Sequence, residues 1–248
     1  MSVTDLTPPG IEPHDLELAP DDIAAVASAD VVLYFGGGFQ PALEDAIQEA
    51  QGRAVDLLRV VDTAPAPSAG ESGLSVDPHV WLDPARFRTI VGRIGRVVED
   101  AAPNCHGIED RTAKLTHRLG ALDEEYRKGL AHCASDTIVT NHAAFGYLAS
   151  AYGLRQEAIA GLEPETEPSP RRLAELKDLV QRHGITTVFT EELVSPKVAD
   201  TLASEAGIRT RVLFTIEGLT DQEAAAGKDY VSLMEENLDA LHRALGCD

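Results

Sequence analysis

No apolar run in this chain is long enough to cross a bilayer as a helix, and the stretch after Met1 does not read as a signal peptide. Basic residues are scarce: 21 Lys and Arg stand against 41 Asp and Glu, a formal charge of −20. A balance of that sign repels a phosphate backbone, which argues against nucleic acid as a partner. Aromatics make up 5% of the chain, with a single Trp, and cysteines number three. Cys105, Cys133 and Cys247 form none of the close pairs of a zinc knuckle, and an odd count permits one disulfide at most. What remains is 248 residues, 44% of them apolar, the make-up of an ordinary α/β protein too long for one small core.

Residues 1–19 are rich in Pro and acids without periodicity and read as loop. "ADVVLYF" (29–35), closed by three glycines, and "AVDLLRVVD" (54–62) read as buried strands, with a helix between them that carries Pro41 in its first turn. "TAPAPSAGESG" (63–73) reads as a flexible surface loop. Over 108–132, Leu115, Leu119, Leu122, Tyr126 and Leu130 form one apolar stripe of a long helix. The second half alternates again: strands at 136–140, "ITTVFTEE" and "TRVLFT", and helices from about Ala143, from Pro170 behind an N-capping Ser169, from about Pro196, and at the C-terminus. The pattern predicts an α/β fold of two lobes with mainly parallel sheets, joined by a long rigid helix. The lobes are 1–107 and 133–248, with 108–132 as the link. Ligands of such sheets sit outside the carboxyl ends of the strands, so the cleft between the lobes is the expected site.

"VDPHVWLDP" (76–84) sets His79 between two Asp-Pro dipeptides, where proline geometry makes a stiff, extended loop. His14 also follows a proline, in "IEPHDLELAP", and His142 in "IVTNHAAFGYLA" lies between a strand and a helix. These three of the eight histidines share a junction context. His183 at a helix end, and His117 and His242 within charged helices, have structural explanations. Cys105–His106 and His132–Cys133 resemble half-sites for zinc, but a continuous helix holds them roughly 35–40 Å apart. Three neutral imidazoles suit Zn²⁺, with a carboxylate or water as the fourth ligand. Glu217, two residues beyond a predicted strand and before a glycine, is a candidate for that place. Glu191 and Glu192 compete with it.

"GIEPHDLELAPDDIAAVASADVVLYFGGG", "DPHVWLDP", "IVTNHAAFGYLASAYGL" and "FTEELVSPKVADTLASEAG", in this order, resemble the zinc/manganese solute-binding proteins of ABC importers, from about residue 10 to the C-terminus. The resemblance implies an extracytoplasmic or periplasmic two-lobed receptor, monomeric and not an enzyme. Such a receptor would hold one metal ion in the cleft and serve an ABC permease with its ATPase. It implies a metal site of His14, His79, His142 and Glu217, the last being an Asp in many members. Those four ligands carry one negative charge, so the occupied site is expected to be net positive. Manganese-selective relatives carry Glu where this chain has His142, and imidazole favours zinc over Mn²⁺. The His-rich loop of many zinc relatives has no counterpart, since 63–75 contains no His. Family members begin with an export signal, a strand and a helix before their first His loop, and with that His at position 14 this chain is expected to lack them. The oxidising location implied by the family, with both residues at ends of second-lobe elements, predicts a Cys133–Cys247 disulfide. A zinc hydrolase using Glu191 or Glu192 as base, and a metal-binding adhesin of the same fold, are the alternatives.

Overall fold

The computed structural model describes residues 1–66 and 74–248, so most of the loop expected over 63–73 lies outside the described residues. Val31–Tyr34 forms β1 and Arg53–Asp56 forms β2, paired in parallel from Val31 opposite Arg53 to Tyr34 opposite Asp56. They are shorter than the apolar runs predicted. β2 stops at Asp56, whose carboxylate accepts from the Gly36 and Leu58 N–H groups and turns Leu58–Val60 into a 3₁₀ helix. α1 (Pro20–Ser28) and α2 (Pro41–Ile47) flank these strands.

Asp83 caps α3 (Pro84–Ala101), accepting from the Ala85 and Arg86 N–H groups, so the second Asp-Pro pair is a helix start. α3 packs against α4 (Ile108–Gly129), where a Cβ on Gly95 would collide with Thr112. α4 is the continuous long helix predicted, ending three residues early in the Leu130 cap. It separates Cys105–His106 from His132–Cys133, and the Cys₂His₂ reading fails as expected.

The second sheet has the order β4-β3-β5-β6 and is parallel throughout, with β3 Thr137–Thr140, β4 Arg155–Ala158, β5 Thr187–Thr190 and β6 Arg209–Val212. Every residue of the central strands β3 and β5 is buried, as for a sheet covered on both faces. β4 ("RQEA") was not foreseen, because an edge strand needs no apolar run. α5 (Gly146–Tyr152), α6 (Pro170–His183), α7 (Lys197–Ala206), α8 (Asp221–Ala225) and α9 (Tyr230–Leu245) complete the chain. α6 has Ser169 as N-cap and Gly184 in the left-handed conformation behind it, as the sequence predicts.

The largest apolar cluster crosses both halves, taking Trp81 from the first, Tyr126 from α4, and Phe145, Phe189 and Met234 from the second. Tyr126 donates from its hydroxyl to the Met234 carbonyl at 2.7 Å, tying α4 to α9. No helix among the described residues is long and apolar enough to cross a membrane.

Cys133 and Cys247 are joined by the expected disulfide, and Cys105 is free. The bond pins the end of α9 beside the end of α4 and closes a loop of 114 residues. The Cys133→Ser/Cys247→Ser variant is expected to lose up to about 4–5 kcal/mol of unfolding free energy in the chain-entropy picture. Urea unfolding, with and without reductant, measures this, and unchanged midpoints would refute it.

Candidate functional site

The three junction histidines meet. His14 lies in a 3₁₀ turn, Pro13–Asp15, His79 opens another at Val80–Leu82, and His142 follows β3 by two residues. Their rings lie 5.2 to 6.0 Å apart, centre to centre. Glu217 joins them, although β6 ends at Val212 and the carboxylate arrives on a longer loop than predicted.

One donor atom from each of His14, His79, His142 and Glu217 lies within 4.8 Å of all the others. Glu217 Oε1 is 2.9 Å from His79 Nε2 and 3.6 Å from Nε2 of both His14 and His142. The Nε2 atoms of His79 and His142 are 3.4 Å apart. Ligands of a tetrahedral zinc ion, at roughly 2.0–2.1 Å from the metal, sit about 3.3 Å from one another. Four of the six donor–donor distances, from 2.9 to 3.6 Å, bracket that value. All four side chains are buried, yet His14 Nε2 and Glu217 Oε1 have no hydrogen-bond partner of acceptable geometry. Buried polar atoms without partners are rare, and these two face the shared centre.

Carboxylates behind two of the rings fix their orientation. Asp77 Oδ1 lies 2.7 Å from His79 Nδ1 and also accepts from the His79 backbone N–H at 3.0 Å. Glu191 Oε2 lies 2.6 Å from His142 Nδ1, while its Oε1 accepts from the His142 N–H at 3.0 Å. With Nδ1–H donating to a carboxylate, each ring presents the Nε2 lone pair to the centre. Glu191, a sequence candidate for the fourth ligand, therefore serves behind a ring.

The acid-Pro-His tripeptide occurs twice, at 12–14 and 77–79, and in both the acid accepts from the histidine N–H. That repeat was the available sign of Glu12 and Asp77. Asp77 is short enough to reach Nδ1 as well, whereas Glu12 keeps Oε1 buried and without a partner. Burial first, then the charges of Glu217 and Asp15, push the Glu12 carboxyl up to about 8.

Burial alone would raise the Glu217 pKa, but the imidazoles of His14, His142 and His79 hold it well below the usual carboxylate range. Burial likewise disfavours a charged His142, but the Glu191 carboxylate and then Glu217 overcome it and lift the ring to about 10. His79 is raised for the same reason, by Asp77 and Glu217 against burial.

Beside His14 lies a cavity of about 560 Å³ lined by Asp15, Phe39, Glu163, Glu165 and Thr166 among others, an acidic approach for a cation. The cluster of His14, His79, His142 and Glu217 is the one such metal-capable group among the described residues. His106, His117, His132, His183 and His242 take no part in it.

A family model described as ZnuA, zinc-uptake complex component A, periplasmic, matches residues 1–244. The high-affinity zinc uptake system protein ZnuA of Bacillus subtilis is 36% identical over 97% of this chain and 79% of its own length. The zinc-binding lipoprotein AdcA of Streptococcus pneumoniae is also 36% identical, over 94% of this chain, which spans about half (49%) of that relative. The Zn(II)-bound ZnuA-like domain of S. pneumoniae AdcA superposes with a TM-score of 0.79 at 36% identity, covering 97% of this chain and 89% of that one.

Asp77→Asn and Glu191→Gln remove the carboxylates that orient the rings while keeping side-chain size. Each is expected to weaken divalent-cation binding about 10–100-fold. Isothermal titration measures it, and wild-type affinity in both variants would mean that the rings need no such support.

Proposed function

The chain belongs to the ZnuA family of zinc-uptake solute-binding components, and from that premise we propose that it captures Zn²⁺ outside the cytoplasm and delivers it to an ABC permease with its ATPase. The observation that carries this reading is the convergence of four buried donors within 4.8 Å of one another. His14 and His79 come from residues 1–107, and His142 and Glu217 from 133–248. With residues 108–132 as the linking helix, the two lobes each supply two ligands to the ion. Separation of the lobes would then dismantle the site and free the ion, a sufficient means of delivery by a monomer.

Three imidazole nitrogens and one carboxylate favour Zn²⁺ over Mn²⁺, which prefers a set richer in oxygen. Four protein donors also fill a tetrahedral ion, leaving no position for the water that a zinc hydrolase activates. Glu191, one of the bases such an enzyme would need, is occupied by His142. Capture without turnover is the reading that fits. Zinc here is cargo, and the acidic cavity beside His14 is its approach.

Metal analysis of the purified protein tests the assignment: one zinc per chain is expected in the wild type. His79→Ala and His142→Ala should each lose at least the roughly 10–100-fold typical of an outer-shell change. Full zinc retention in either variant would remove that residue from the site.

Binding is expected to depend on pH with a definite sign. A proton on Nε2 blocks the lone pair that zinc needs, so proton and metal compete. Because the folded His142 is raised to about 10, the competition extends through neutral pH, above the window set by an ordinary imidazole. Zinc affinity should rise from about pH 6 to about pH 9, with protons released on binding. Titrations in buffers of different ionisation enthalpy count those protons, and pH-independent affinity would contradict the three-imidazole site.

A further inference from the structure

The segment from Phe214 to Thr220, which carries Glu217, is pinned at both ends. Asn237 of α9 accepts from the Phe214 N–H at 2.7 Å and donates to the Phe214 carbonyl at 2.8 Å. At the other end the Gly10 N–H donates to the Leu219 carbonyl at 2.8 Å, and Thr220 caps α8 with Glu223. Gly218 is packed so tightly that a Cβ would lie 3.1 Å from both the Ile11 carbonyl oxygen and Leu193. Between these anchors the Trp81 indole N–H donates to the Thr215 carbonyl at 2.8 Å, across 134 residues of sequence.

The residue between the Trp81 anchor and Glu217 is Ile216, with φ at +54°, the one non-glycine with positive φ among the described residues. A β-branched side chain is strongly disfavoured there, because its Cβ crowds the backbone. Such strain persists only where the surroundings over-determine the conformation, and it concentrates where function uses it. The same short turn that starts at His79 contains Trp81, whose ring lies 5.3 Å from the His79 ring.

We propose that Trp81 is a positioning residue for the metal site: its hydrogen bond to Thr215 holds Ile216 in the strained conformation that turns the Glu217 carboxylate into the histidine cluster. Without that bond the segment relaxes and withdraws the carboxylate. Glu217 is then the ligand delivered against backbone strain, and the first to leave when Trp81 moves with its lobe. The proposal rests on the reading of Glu217 as a zinc ligand.

Trp81 also packs against Phe35 and Phe39, so the test must separate latching from packing. Zinc affinity is measured by competition with a chromophoric chelator, with melting temperatures recorded alongside. Trp81→Phe is expected to weaken binding about tenfold, the upper range for one lost hydrogen bond. Ile216→Gly and Ile216→Ala remove almost the same packing, but only glycine adopts the left-handed conformation freely. In the Trp81→Phe background, Ile216→Gly should therefore bind at least about fivefold more tightly than Ile216→Ala. In a Glu217→Ala background, Trp81→Phe should cost less than about twofold, since no carboxylate is left to position. Equal affinities for the Gly and Ala variants, or an undiminished cost of Trp81→Phe without Glu217, would overturn the proposal. Should Trp81→Phe fail to fold, the contrast is read in the Trp81 protein as zinc dissociation, about fivefold slower with Gly than with Ala, and equal rates overturn it. A Glu217→Ala variant that binds zinc like the wild type would instead defeat the ligand reading itself, and this proposal with it.

Discussion

A buried carboxylate with only imidazoles to hold its charge is the constraint around which this molecule is arranged. Glu217 Oε1 lies inside the protein, close to three ring nitrogens and without a hydrogen bond of its own. An isolated buried charge costs far more than a small domain's net stability, so the charge must be met by protons on the rings or by a cation. The protein in effect exchanges one for the other.

The carboxylates behind the rings change the electrostatics expected from the ligands alone. Counting only the four candidate ligands, a bound dication would leave the site net positive. Counting Asp77 and Glu191 as carboxylates beside Glu217, it is left with one net negative charge. That arrangement strengthens the His79 and His142 imidazoles as donors and resists anions entering with the metal. The acidic lining of the neighbouring cavity works in the same direction, concentrating cations at the mouth beside His14.

Attachments between the halves cluster around the site. Tyr147, on the helix that follows His142, accepts from the Ala64 N–H and donates to the Asp77 carbonyl, both at 2.8 Å. Tyr230 of α9 donates to the Trp81 carbonyl at 2.6 Å, while the Trp81 ring reaches Thr215. The backbone around His79 is thus held from the other half at two points. Short turns and a strand end carry the three histidines, and the remaining donor sits on a strained loop.

Much of this was legible in the chain itself. Alternating apolar runs and capping residues at Ser169 and Gly184 fix local structure, because they act within a few residues. Junction positions likewise pointed to His14, His79 and His142, since loops at the ends of parallel strands face one side of a sheet. The Asp-Pro setting of His79 implies stiffness, and the structure adds that Asp77 bonds the ring directly. Three things waited for the fold. Glu191 could not be assigned behind His142 rather than at the metal until β5 was placed beside β3. Sequence overran β2 and β6, because apolar character continues past the point where Asp56 or the Asn237 clamp ends strand pairing. The Trp81–Thr215 bond and the strained Ile216 have no local signature at all. Composition and periodicity decide which segments form and which face they bury, through forces that act between near neighbours. Which buried atoms meet at the centre is decided by strand order and by contacts across more than a hundred residues, and only the folded chain brings those together.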